Sequence, residues 1–123
     1  MNVPFTRIAA TSDGGSRFVD DGVDLVDGDF APPAPPLGLG PVAGARSVRF
    51  IGAPAGWDSP PHPAPARQWV VMVRGMVEAT TSDGEVRRFE PGMAVLLEDT
   101  TGVGHRTRVV GDEPWFAMVV VLG

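Results

Sequence analysis

The chain holds two histidines, His62 and His105, and no cysteine. An imidazole can abstract or return a proton near neutral pH, or ligate a divalent metal. Without cysteine there is no disulfide, no thiolate ligand and no cysteine nucleophile. Two adjacent carboxylates, Glu98 and Asp99, precede Thr100-Thr101-Gly102 on the way to His105. A carboxylate beside an imidazole serves as acid or base. Asp99 therefore stands as a candidate substrate contact, although an aspartate there also organises a turn through its own backbone amides.

Short β-strands must carry these side chains. Sixteen glycines and thirteen prolines in 123 residues oppose long helices, and no window sustains helical periodicity over three turns. Runs of β-branched and aromatic residues closed by turn signals recur instead. Residues 6–11 and 17–26 flank Ser12-Asp13-Gly14-Gly15-Ser16 and read as an N-terminal hairpin. Residues 30–41 carry Pro32, Pro33, Pro35 and Pro36 and read as an extended arm outside any ladder. Strands are expected over 46–51, 67–73, 76–81, 85–89, 93–97, 105–110 and 115–122, with Ser82-Asp83-Gly84 as a hairpin turn. This rhythm predicts an all-β barrel or sandwich. Residues 1–45 form its hairpin and arm and 46–123 the barrel, in one structural domain.

Two strands, Trp69 to Val73 and Phe116 to Leu122, are apolar on both faces. The outer face needs a cover, supplied either by the N-terminal hairpin or by a second copy of the chain. Trp69 is expected on that outer face and Trp115 in the core.

Net charge is −5, and all the basic residues are arginine. Asp13, Asp20, Asp21, Asp24, Asp27 and Asp29 crowd the first thirty residues. With no basic stripe, neither nucleic acid nor an anionic membrane is an expected partner. The N-terminus lacks a signal-peptide core, and no apolar run reaches the roughly twenty residues of a membrane helix. A cytoplasmic protein is the expectation.

Two spacings complete the pattern. Gly56 is followed after five residues by His62, then by Ala64, Gln68 and Gly75; Gly92 is followed by Thr100, Gly102, His105 and Val109. The first matches Gly-x5-His-x-His-x3-Glu-x6-Gly with Ala64 and Gln68 replacing a histidine and the glutamate. The second departs further, with a longer gap after Gly92, Thr100 for a proline and Val109 for an asparagine. Over about Gly56 to Val109 the chain thus resembles the small single-domain cupins, particularly those reading His-Pro-Ala-Pro in the first motif. The resemblance implies a double-stranded β-helix, or jelly-roll, barrel. It implies that His62, Gln68 and His105 converge inside as catalytic groups or metal ligands.

Inward parity along the strands places Val70 and Met72 beside Gln68, and Thr107 and Val109 beside His105. Trp57 would line the pocket mouth, while Arg67 and Arg106 face away. With Ala64 removing an imidazole and Gln68 an anionic ligand, any divalent metal (Zn, Mn, Fe or Ni) would be weakly held, or none bound. Such a depleted set favours proton-transfer chemistry on a small molecule, of isomerase, lyase or decarboxylase type. A non-catalytic small-molecule binder and a metal-dependent dioxygenase are the alternatives. A homodimer is expected, as in other small cupins.

Overall fold

A computed structural model describes residues 1–123. Eleven strands follow in order: β1 (Asn2–Ala10), β2 (Ser16–Asp24), β3 (Val26–Gly28), β4 (Leu37–Leu39), β5 (Ala45–Ala53), β6 (Gln68–Arg74), β7 (Met76–Thr80), β8 (Val86–Phe89), β9 (Ala94–Leu97), β10 (Arg106–Val110) and β11 (Trp115–Leu122). There is no helix, and so none long and apolar enough to cross a membrane.

A six-stranded sheet ordered β2-β1-β9-β6-β11-β5 faces a three-stranded sheet ordered β10-β7-β8. Alternation sets which side chains meet between them. On β6, Gln68, Val70 and Met72 are buried while Trp69 and Val71 are half-exposed. Ala117 and Val119 from β11 and Val95 from β9 join them. Val77, Ala79, Phe89 and Val109 close the core from the smaller sheet, and Trp115 is buried among them.

The N-terminal hairpin is built into the larger sheet rather than laid upon it. Thr6 to Ile8 of β1 pair in parallel with Val95 to Leu97 of β9. Ile8 and Phe18 consequently belong to the common core. The proline-rich segment also differs from the expected free arm, because β3 and β4 form a small antiparallel ribbon. Its four prolines sit in the connecting loop, leaving proline-free Leu37-Gly38-Leu39 able to donate to a ladder.

On the outer face, Trp69 meets Phe5 of β1 edge-on, with ring centroids 4.7 Å apart. Phe5, on the same face two strands away, thus shields part of Trp69. The hairpin does not reach the far side of the sheet, where Val48, Phe50 and Phe116 remain exposed.

Glu98 ties three neighbouring strands together. Lying just after β9, it accepts hydrogen bonds from Arg7 within β1 at 2.8 Å and from Arg67 just before β6 at 2.9 Å. Burial alone would raise its pKa, but the two arginines outweigh burial and hold it below its ordinary value. A depressed carboxylate stabilises the fold above its unfolded pKa and loses that contribution as pH falls through the folded value. We expect Glu98→Gln to cost about 1 kcal/mol at pH 7, since the pair is partly solvated. The difference from wild type should shrink as pH falls through the depressed folded-state value of Glu98, where its carboxyl becomes neutral like the amide. Urea unfolding at pH 7 and across the acid range checks this.

Candidate functional site

The two histidines come from chain segments that pair as if they were strands. Residues 57–62, arriving from β5, run antiparallel to β10 and to His105 just before it. The Val109 amide donates to the Trp57 carbonyl at 2.8 Å and the Ser59 amide to the Thr107 carbonyl at 3.0 Å. His62 and His105 then exchange both backbone hydrogen bonds, each at 3.0 Å. Directly opposed residues project side chains to the same face, and here the ring centroids lie 5.2 Å apart.

Gly104 makes this approach feasible. It adopts φ of +72°, and a Cβ there would collide with the His62 carbonyl and the Pro63 nitrogen. Only glycine satisfies both the left-handed backbone and the space.

Hydrogen bonding fixes the proton on each ring. The Nδ1 of His62 lies 3.0 Å from the Pro60 carbonyl, and the Nδ1 of His105 lies 2.6 Å from Oδ2 of Asp99. A carbonyl and a carboxylate only accept, so both rings donate from Nδ1, which makes Nε2 the acceptor of each ring in its neutral form. His105 is buried, with 5% exposure, whereas His62 is exposed at the entrance. Asp99 has no exposed surface at all, and its second oxygen, Oδ1, has no hydrogen-bond partner. Its backbone carbonyl accepts from the Ala64 amide at 3.0 Å, locking it behind both motifs.

A cavity of about 160 Å³ opens beside the two rings. His62, Gln68, His105, Trp57, Val70, Met72 and Thr107 all line it, as does Ala64. Asp99 does not. The sequence-based assignment of Asp99 as a substrate contact is therefore corrected: full burial and the bond to His105 place it behind the imidazole. Its six-residue separation from His105, with Gly102 and Gly104 between, is the available signal for a chain that doubles back. Arg67 and Arg106 face outward into ion pairs with Glu98 and Asp58. Ile8, Phe89 and Trp115 also line the cavity; nothing in their local sequence marks them for it, since each arrives through long-range pairing.

No family model matches the chain, and no curated protein matches it. Solved structures do resemble it. The Cupin 2 conserved barrel domain protein from Salinispora arenicola is 19% identical at a TM-score of 0.53, over 82% of this chain and 76% of that one. The cupin domain of Cnp3 from Schizosaccharomyces pombe is 11% identical at a TM-score of 0.53, over 100% of this chain and 83% of that one. The fold is a cupin barrel. A weaker likeness, to the conserved protein SPY1581 from Streptococcus pyogenes, has 19% identity and a TM-score of 0.47. It covers 61% of each chain, so this chain spans less than two thirds of that protein's length.

The donors in this cupin cavity are two imidazole Nε2 atoms and the Gln68 amide. None of the three is a carboxylate, and no cluster of three histidine or carboxylate side chains is present. The Asp99 carboxyl is turned to the far side of His105. This set does not fit the three-histidine, one-glutamate centre that the motif resemblance implies, since so few donors without a carboxylate would hold a divalent first-row ion weakly. Supplying the missing groups with Ala64→His and Gln68→Glu should tighten zinc binding at least 100-fold over wild type in titration calorimetry. Equal, negligible binding in both proteins would show that more than the ligands departs from a metal centre.

Proposed function

We propose that this barrel catalyses proton transfer on a small carbonyl compound, with His105 as the base. The observation that carries this reading is the 2.6 Å contact between the His105 ring and fully buried Asp99. A carboxylate held behind Nδ1 selects the tautomer whose Nε2 accepts a proton, and it stabilises the imidazolium that results. The base faces a cavity and not bulk water, as proton abstraction beside a carbonyl requires.

In the reaction, His105 Nε2 takes the proton from the carbon next to the carbonyl, and the electron pair moves onto the carbonyl oxygen. The Gln68 side chain makes no hydrogen bond within the protein and lines the same cavity, so its amide N–H is free to donate to that oxygen. The proton then returns at a second carbon, giving an isomer, or a β-substituent departs with the electron pair. His62, whose ring lies beside that of His105, is placed to exchange a proton at the entrance.

Proton abstraction is measurable without the natural substrate. In D2O, the protein should accelerate deuterium incorporation next to the carbonyl of 2-cyclohexenone, followed by NMR. His105→Ala should lower that rate by about 10²–10⁴-fold, and Asp99→Asn should lower it while leaving the rings in place. Exchange unaffected by His105→Ala would contradict the reading.

We also propose a homodimer, with the second copy covering Val48, Phe50 and Phe116, an apolar area that the hairpin leaves bare. Light scattering at micromolar concentration should give twice the chain mass, reduced to the monomer by Phe50→Glu. A wild-type monomer would contradict this arrangement.

A further inference from the structure

We infer that the cavity selects an uncharged compound the size of one six-membered ring, carrying a single carbonyl at the end that meets the histidines. This inference rests on the proton-transfer reading of the same site and names the class of substrate it takes.

Volume sets the upper limit. At about 160 Å³ the cavity is close to the roughly 150 Å³ that accommodates benzene in a protein interior. A fused second ring would exceed it.

Polarity sets the orientation. The floor is made by Ile8, Val77, Phe89 and Val95, each no more than 2% exposed. The deepest potential donor there, the Trp115 indole N–H, already donates to the sulfur of Met72 at 3.3 Å. A hydroxyl or amine pushed to the floor would lose its water and gain no partner, which rejects sugars and amino acids. At the other end Gln68, His62, His105 and Thr107 supply the polar lining. A ligand therefore enters ring first and leaves one polar atom among them.

Charge is discriminated too. No arginine lines the cavity. Arg67 and Arg106, the arginines adjoining Gln68 and His105 in sequence, are paired on the outer surface with Glu98 and Asp58. The acidic side chain at the site is Asp99, behind His105, and its Oδ1 has no hydrogen-bond partner. A carboxylate or phosphate on the ligand would be buried beside an acidic group with no arginine to pair it.

Protein-observed NMR titration with benzaldehyde, benzoate, 2-naphthaldehyde and glucose tests the inference. Benzaldehyde should bind at least tenfold more tightly than the other three, shifting amides of Gln68, Ala79 and Thr107. Ala79→Leu, which fills part of the cavity, should weaken benzaldehyde at least tenfold; a Tm no lower than wild type would show that the barrel is intact. Gln68→Leu, of similar volume, should remove the preference for benzaldehyde over toluene, and it serves alone if Ala79→Leu fails to fold. Benzoate or naphthaldehyde binding as tightly as benzaldehyde would overturn the inference. The two proposals fail separately. Selective benzaldehyde binding without deuterium exchange on 2-cyclohexenone sinks proton transfer and leaves the ring selectivity standing. Exchange on an acyclic anion such as pyruvate at an equal rate sinks the selectivity and leaves proton transfer standing.

Discussion

The pair of backbone hydrogen bonds between His62 and His105 is the constraint on which the site depends. These residues are separated by most of the barrel in sequence, yet each amide donates to the other's carbonyl at 3.0 Å. That exchange makes them opposed members of a ladder and sends both imidazoles to one face. It requires the close passage that Gly104 alone permits. Through it, the segment following β5 acts as an added strand beside β10, and the smaller sheet gains the edge that carries the site.

Asp99 adds a second condition. Burying a carboxylate costs several kcal/mol unless partners repay the lost hydration, and here one oxygen is bonded to His105 while the other has no partner. Buried polar groups with incomplete hydrogen bonding recur at functional sites. Apolar packing elsewhere supplies the rigidity that tolerates this one, with Ile8, Phe89, Val77 and Val95 fully buried around the cavity.

Much of this was legible in the sequence wherever local alternation decides orientation. Gln68, Val70 and Met72 share a face because a strand repeats every two residues, and Trp69 must then face outward. Turn chemistry at Ser82-Asp83-Gly84 likewise fixes the β7–β8 hairpin, whose Gly84 adopts φ of +88°. What was not legible depends on pairing across long separations. Nothing local in Thr6 to Ile8 announces a parallel partner at Val95 to Leu97, and so the hairpin read as a cover and not as part of the wall. Proline density concealed the β3–β4 ribbon because the prolines belong to its loop. Asp99 was visible as a carboxylate near His105, but its side of the ring is set by the backbone reversal through Gly102 and Gly104.

In the proposed reaction Asp99 holds His105 with its proton on Nδ1 and its Nε2 lone pair toward the cavity. Long-range proton–nitrogen correlation NMR on 15N-histidine-labelled protein at pH 8 reads the tautomer directly. A protonated Nδ1 and an unprotonated Nε2 are expected for His105, with a strongly deshielded Nδ1 proton that disappears from that position in Asp99→Ala. A His105 ring protonated on Nε2 in the wild-type protein would contradict it.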